Sequence, residues 1–325
     1  MMGKMNVGSS GLLISIVAPA FNEEDGLPEF VARLKSVMDG QNCPYEIVLV
    51  NDGSRDNTLQ VMNALKNDTQ QITIVNLSRN FGKEVAMTAG LDHANGDAVI
   101  VIDTDLQDPP ELIPEMLSKW ETGYDMVYAQ RKSRAGESWL KKKTAELFYS
   151  ISAKLGRSPI PHNVGDFRLM SRRVVNALLE LPEQHRFMKG LFAWVGFSQT
   201  ALLYDRNPRY AGETKWNYWS LWNFALEGLT SFTIAPLIIS TYMGFTSAFL
   251  ALIYGVFIVF KALVFGEVVR GYPTIMITIL FLGGIQLIVL GVMGEYIGRI
   301  FNESKRRPLY FVESVYPARP KKMKP

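Results

Sequence analysis

Two stretches without a charged residue bound what this chain can fold into: residues 234–260, "IAPLIISTYMGFTSAFLALIYGVFIVF", and residues 273–294, "PTIMITILFLGGIQLIVLGVMG". Each exceeds the about 20 residues that cross a bilayer core as a helix. Buried helices of a soluble core are the competing reading, and two such runs this close together would need a very large core around them. Only "KALVFGEVVRGY" separates them, so the expectation is a two-helix transmembrane hairpin, with spans at about 234–262 and 273–296 and both outer ends on one side. Arg299, Lys305, Arg306, Arg307, Arg319, Lys321, Lys322 and Lys324 follow the second run and mark that side as cytoplasmic. Everything before the hairpin must then face the cytoplasm as well, with both termini.

The remaining composition excludes several classes. A net charge of +3 over 325 residues is too small to argue for a nucleic-acid partner. The single cysteine, Cys43, forbids an intramolecular disulfide and a zinc-type cysteine cluster, and His93, His162 and His185 have no metal-ligand spacing. The N-terminal apolar run is short and followed by acids, so it does not read as a signal peptide. Residues 1–11 read as a disordered N-terminus.

From residue 12 the chain alternates β-rich runs, "LLISIVAP", "YEIVLV", "ITIVNL", "AVIVID" and "DMVYA", with helical patterns. After the first run Leu27, Phe30, Val31, Leu34, Val37 and Met38 recur at helical spacing, and the pattern stops at Gly40. Near-continuous apolar strands alternating with amphipathic helices predict an α/β domain: a mostly parallel sheet with helices on both faces. Ligands of such sheets bind beyond the carboxyl ends of the strands. That is where the polar clusters fall: "NEED", "NDGSRDNT", "SRNFGKE" and "DTDLQDPP" each follow a strand.

The last cluster carries the most chemistry. If the strand continues through Asp103 and Asp105, their carboxylates share one face and point together at the rim. With the Gln107 carbonyl they are hard oxygen ligands of the kind that holds Mg²⁺ or Mn²⁺ while leaving positions for phosphate oxygens. A loop with a helix N-cap is the plainer account of the same acids. Asn22, Glu23 and Asp52 bring further polar groups to the rim, although Asp52 suits a turn equally well, and Asp56 reads as a helix N-cap. No P-loop and no G-x-G-x-x-G occurs, so a diphosphate here needs a metal and basic residues. Helices near 138–155 and 216–228, the latter carrying Trp216, Tyr218, Trp219 and Trp222, are expected at the membrane interface; a helix packed on the domain is the alternative for the first. The tail contains a short β-like run of undecided partner.

Together "SIVAPAFNEE", "VNDGSRDNT", "SRNFGKEVAMTAGLDHANGD", "IDTDLQDPP", "GDFRLM" and "RYAGETKWN" resemble family 2 glycosyltransferases of the GT-A fold. Within that family the chain resembles bacterial polyprenyl-phosphate glycosyltransferases, notably bactoprenol glucosyltransferases, over about residues 12–312. The resemblance implies a cytoplasmic GT-A nucleotide-sugar-binding domain at 12–228, a transmembrane hairpin at 229–298 and a basic cytoplasmic tail at 299–325 in a bacterial inner membrane. It implies that Pro19, Phe21, Glu23 and Asp52 hold the nucleoside, and that Asp103, Asp105 and Gln107 hold the metal and diphosphate. Arg131 and Arg134 would receive the acceptor phosphate, and Arg209 and Lys215 would close over the donor phosphates. Asp166 would be the catalytic carboxylate, unless it is a turn residue or the ion-pair partner of Arg168.

The implied reaction is inverting transfer of a hexose, glucose from UDP-glucose, to a polyprenyl phosphate, with Asp105, Asp166 and Arg131 as the catalytic set. GDP-mannose is the competing donor. A processive polysaccharide synthase needs a Q-x-x-R-W segment, and "EQHRFMKG" lacks it; a catalytically dead nucleotide-sugar sensor would have lost Asp103 or Asp105. Gly283, Gly284, Gly291 and Gly294 offer close-contact faces for a homo-oligomer, a dimer or tetramer.

Overall fold

The computed structural model describes residues 11–132, 163–184, 186–205, 235–265 and 271–318. The N-terminal ten residues, the expected interfacial helices near 138–155 and 216–228, and Arg134, Arg209 and Lys215 lie outside the described residues. The chain divides into two compact units: an α/β unit, to which the chain from Arg307 onward returns, and a unit of two long helices.

The α/β unit runs β1 (Ile14–Ala20), α1 (Leu27–Asp39), β2 (Tyr45–Asn51), α2 (Thr58–Asp68), β3 (Ile72–Leu77), α3 (Lys83–His93) and β4 (Ala98–Val101). A 3₁₀ turn (Pro110–Leu112), α4 (Ile113–Glu121), β5 (Met126–Arg131), β6 (Val164–Ser171), α5 (Arg172–Leu179), α6 (Met188–Trp194) and β7 (Gln199–Tyr204) follow. The described strands form one sheet of order β7-β5-β6-β4-β1-β2-β3-β8, where β8 is Val312–Tyr316. β1 pairs in parallel with β2 and β4, β2 with β3, and β5 with β7. β6 runs antiparallel to both β4 and β5.

Alternation across the pleat sorts the apolar side chains onto two faces. Ile14, Ile16, Ala18, Ile47 and Leu49 join one core with Phe30 and Leu34 of α1, Met62 of α2, and Met116 and Trp120 of α4. Val17, Val48 and Val50 point the other way, toward the face that α3 covers with Met87 and Leu91. The expected helix after the first strand forms as Leu27–Asp39, with Leu27, Phe30, Val31, Leu34 and Met38 buried and Gly40 at its end. Each such side chain contributes about 1.5–3 kcal/mol by leaving water.

The undecided tail run is settled by the structure: β8 adds antiparallel to β3 as an edge strand. The Tyr310 hydroxyl donates to Asp92 at 2.6 Å, the Ala318 N–H donates to Thr73 at 3.0 Å, and Asn76 donates to Glu313 at 2.9 Å. The basic tail expected from 299 thus contributes an edge strand to the sheet.

The second unit pairs α7 (Ala235–Phe265) with α8 (Tyr272–Ser304). Both are long and apolar enough to cross a membrane, over Pro236–Phe257 and Ile277–Ser304. Their apolar side chains are exposed, with Phe245 74% and Leu263 82% accessible, so nothing within the unit covers them. Ser240, Thr241 and Ser247 donate their hydroxyls to carbonyls four residues earlier, which leaves these groups satisfied inside the helix. Helix α8 outruns the expected span end at 296 and continues to Ser304.

Candidate active site

The carboxyl ends of β1, β2, β3 and β4 open onto one rim, as the alternation of strands and helices required. On the β1–β3 side the loops are laced to each other. The Asn22 N–H donates to Ser54 at 3.0 Å and its side-chain carbonyl accepts from the Arg55 N–H at 2.8 Å. The Glu23 N–H donates to Thr58 at 2.9 Å, and Glu24 accepts from the Asn57 N–H at 2.9 Å. Asp56 accepts from the Thr58 N–H at 3.1 Å, but Asn57 is the N-cap of α2 and makes no side-chain capping bond, so Asp56 stands one residue ahead of the position expected for it.

Asp52 is buried and accepts from the Phe81 N–H at 2.7 Å, the Gly82 N–H at 3.0 Å and the Asn80 amide at 3.0 Å. Burial pushes its pKa up, and the two backbone donors and Arg79 pull against that rise. Gly53 beside it has φ +64°, and a Cβ there would lie 2.3 Å from the Arg79 carbonyl carbon. Only glycine permits that backbone and that approach of the two loops. Pro19 is buried within β1, while Phe21 and Glu23 are half-buried beyond its end.

The β4 side differs. The strand expected to run through Asp103 and Asp105 stops at Val101, and turn residues follow, with Leu106 at φ +57°. The shared strand face is therefore not what aligns the two acids. An alternation of exposure persists all the same: Thr104, Leu106 and Asp108 are buried, while Asp103, Asp105 and Gln107 are half-buried. The Gln107 N–H donates to the Asp105 carboxylate at 3.2 Å. Pro110 opens the 3₁₀ turn that leads into α4, as anticipated for a proline at a helix start.

Asp166 reaches the same place because β6 is antiparallel. Val101 pairs with Arg168, and the same register carried two residues further sets Asp103 opposite Asp166. Lys83, the first residue of α3 after Gly82 (φ +97°), puts its Nζ 2.7 Å from Asp103 Oδ2 and 2.6 Å from Asp166 Oδ2. Asp166 lies within a strand and its ion-pair partner is Lys83, so neither the turn nor the Arg168 pairing describes it. The Arg168 guanidinium donates to the backbone carbonyls of Gly165 (2.9 Å) and Asp166 (3.3 Å) and stacks 3.6 Å above Phe192. Burial pushes Arg168 down to about 10.

The charges are strongly coupled. Burial alone would raise Asp166, but Lys83, Lys189 and Arg168 hold it well below the usual carboxylate range. Desolvation opposes the Lys83 ammonium, yet Asp103 and Asp166 hold it well above the usual lysine range. Asp103 is raised by burial and by its acidic neighbours Asp166 and Asp108, against the pull of Lys83. Burial and the repulsion of Asp166 push Glu84 up to about 8. Asp166 Oδ1 is buried and has no hydrogen-bond donor among the described residues.

Arg131 joins the site at the end of β5. A Cβ on Gly165 would stand 3.7 Å from both Arg131 Nη2 and Asp108 Oδ2. The Tyr204 hydroxyl donates to buried Asp108 and also meets Arg131. The structure thus joins Asp103 and Asp166 through Lys83 and sets Arg131 with Asp108 and Tyr204 beside Gly165, with Asp105 and Gln107 on the Asp103 loop and Asp52 and Glu23 on neighbouring ones. It adds Lys83, Glu84, Asp108, Lys189 and Tyr204, which sequence reasoning did not single out. "SRNFGKE" was recognised as a rim segment; the strand-end rule applied to its lysine was the available signal.

The sheet is mostly parallel, and its strand ends collect acids, an arginine and a lysine on one rim without a P-loop in the sequence. Residues 15–179 match the model of glycosyl transferase family 2, and the chain belongs to that family; it is a glycosyltransferase. It is 55% identical over 303 residues to an uncharacterised glycosyltransferase of Synechocystis sp., covering 93% of this chain and 95% of that one. It is 50% identical to a bactoprenol glucosyl transferase of Shigella phage SfV (93% and 98% covered) and 49% identical to a prophage bactoprenol glucosyl transferase homolog of Escherichia coli (93% and 99%).

Proposed function

We propose that the protein transfers a hexose, glucose from UDP-glucose, to an undecaprenyl-type polyprenyl phosphate at the cytoplasmic face of a bacterial inner membrane, with inversion at the anomeric carbon. The observation that carries this reading is the joining of Asp103 and Asp166 through Lys83 at the rim where β5 also ends in Arg131, in a chain whose other unit is two exposed apolar helices. The names of the bactoprenol glucosyl transferase relatives support the acceptor and the sugar.

The donor set fits a divalent ion of the Mg²⁺ or Mn²⁺ type. Asp103, Asp105 and Gln107 offer hard oxygens, and the unpartnered buried oxygen of Asp166 leaves negative charge beside them. No cluster of three or more acidic, histidine or cysteine ligands occurs among the described residues. Bound at the Asp103 loop, the metal neutralises charge on the leaving nucleoside diphosphate.

The chain's own residues do the rest. The laced loops at Glu23 and Asp52, with Pro19 and Phe21, form the nucleoside side of the rim, and Arg209 and Lys215 close over the donor phosphates. Arg131, held by Tyr204 and Asp108, and Arg134 receive the acceptor phosphate. An acceptor phosphate oxygen forms the new bond to the anomeric carbon as the bond to the diphosphate oxygen breaks, with the electron pair leaving on the diphosphate. The nucleophile is anionic before it arrives, so a strong base is dispensable; Asp166 acts by orienting and by charge, and positioning supplies most of the rate. The apolar hairpin anchors the chain in the membrane that holds the lipid acceptor, in a homo-oligomer, dimer or tetramer.

The test is a donor screen with protein in detergent, Mg²⁺ or Mn²⁺ and a short polyprenyl phosphate, following lipid-linked sugar and released nucleotide. Transfer from UDP-glucose that disappears with EDTA is expected. Transfer from GDP-mannose alone would replace the donor, and nucleotide binding without transfer from any donor would favour a sensor.

A further inference from the structure

Lys83 is the one cation whose ammonium touches both acids of the site's centre among the described ion pairs. Its side chain is 44% exposed, whereas those of Asp103 and Asp166 are 23% and 7% exposed. A flexible four-carbon stem rooted at the first turn of α3 thus delivers a mobile charge onto carboxylates that are much less free to move. Asp103 is also the acid that a divalent ion would need, since it opens the D-x-D pair. One carboxylate oxygen cannot keep an ammonium at 2.7 Å and admit a divalent ion at about 2.1 Å on the same side. Like charges at such separations repel strongly in a partly desolvated site.

We propose that Lys83 competes with the divalent ion for Asp103, so that the nucleotide-free protein binds metal poorly and a nucleoside diphosphate is needed to draw the ammonium away. The diphosphate offers Lys83 a replacement anion and completes the metal's oxygen shell in the same event. Metal and nucleotide therefore bind as a couple, and by linkage each strengthens the other by the same factor. Lys83 is a positioning residue in the free protein, holding Asp103 and Asp166 together, and a phosphate ligand in the loaded one. The unpartnered Oδ1 of Asp166 supports this reading, because the acid keeps a free oxygen while the lysine holds the other. The inference rests on the proposed metal-dependent use of a nucleotide sugar.

The experiment titrates Mn²⁺ by electron paramagnetic resonance on the full chain in detergent, alone and with UDP or GDP. It uses wild type, Lys83→Gln and Lys83→Arg, with circular dichroism as a check on folding. Wild type is expected to bind Mn²⁺ at least tenfold more tightly with the nucleotide than without. In Lys83→Gln, binding of Mn²⁺ alone should tighten about tenfold and the gain from nucleotide should shrink, while Lys83→Arg stays near wild type. Equal Mn²⁺ affinity of wild type with and without nucleotide overturns the inference, and that arm needs no variant. Unchanged nucleotide-free affinity in Lys83→Gln, with coupling intact in wild type, overturns the role of Lys83 and leaves the proposed function standing. No Mn²⁺ binding by wild type with either nucleotide overturns both.

Discussion

On the β1–β3 side of the rim the acids are spent on backbone, whereas on the β4–β6 side they face charges and each other. Asp52 gives its oxygens to the N–H groups of Phe81 and Gly82, and Asp56 and Glu24 accept from those of Thr58 and Asn57. Asp103 and Asp166 instead share one ammonium, and Asp166 keeps a buried oxygen with no donor among the described residues. The same residue type thus builds a rigid wall on one side and an incompletely satisfied cluster on the other. Unsatisfied buried charge is costly, so where a fold retains it, a ligand is the natural completion. The contrast separates scaffold from chemistry, and it can be broken by mutation.

The largest effect is expected from Asp105→Ala. If the β4 side is chemistry, transfer to lipid should fall by about 10³-fold or more, in line with loss of a main electrostatic contributor. The urea midpoint should stay near wild type, because Asp105 is half-buried in a turn and supports no strand. A large loss of stability with retained specific activity would place Asp105 with the scaffold and erase the distinction.

Asp166→Asn comes next, with kcat for lipid-linked sugar expected to fall by about 10²-fold. Asp52→Ala should do the reverse. Two buried N–H groups lose their acceptor at about 1–3 kcal/mol each, so chemical denaturation should show a loss of about 3 kcal/mol, with activity per folded molecule changed less than in Asp166→Asn. Equal activity losses without destabilisation would show that Asp52 contacts ligand directly.

These two acids also mark how far the sequence was legible. Asp103 and Asp105 stood out because a charged pair after a buried apolar run is unusual, and the strand-end rule pointed at the rim. The hairpin was legible because uncharged runs of that length have few other uses. The meeting of Asp103 with Asp166 was not readable, since it depends on β6 entering antiparallel beside β4 in one register. Lys83 stayed hidden for the same reason: its partners are 20 and 83 positions away. The strand at Val312–Tyr316 was visible as a short β-like run, but five residues, four of them exposed, carry no signal for which edge they will pair with.

Tyr204→Phe probes the supporting layer behind Arg131. It removes the donor to buried Asp108 while keeping the ring, so stability should fall by about 1–2 kcal/mol. Arg131 should lose part of its orientation, seen as a several-fold higher KM for the lipid acceptor with the KM for the nucleotide sugar unchanged. A rise in the nucleotide-sugar KM instead would move Arg131 to the donor side.

The smallest effect is the pH dependence of stability. Asp166 is held low by Lys83, Lys189 and Arg168, and Asp125 by hydrogen bonds from Arg173 and Ser198, against burial in both cases. A carboxylate with a depressed folded pKa contributes stability that is fully present above the unfolded value of about 3.9 and is lost as pH falls through the folded one. Glu84, pushed up to about 8 by burial and by Asp166, has the opposite sign. Its protonated form is favoured by folding, so its contribution is present below the unfolded value of about 4.3 and fades as pH rises through 8. Thermal melts should therefore show a maximum at about pH 4 to 5, with an acid limb below it and a decline that runs up to about pH 8. Glu84→Gln should flatten part of that decline, because it removes one of the cluster's two raised carboxyls, Asp103 being the other, and leaves the Lys83 pairs in place. If the decline is unchanged in that variant, Glu84 is ionised in the folded protein, and the β4 side is less starved of counter-charge than its geometry implies.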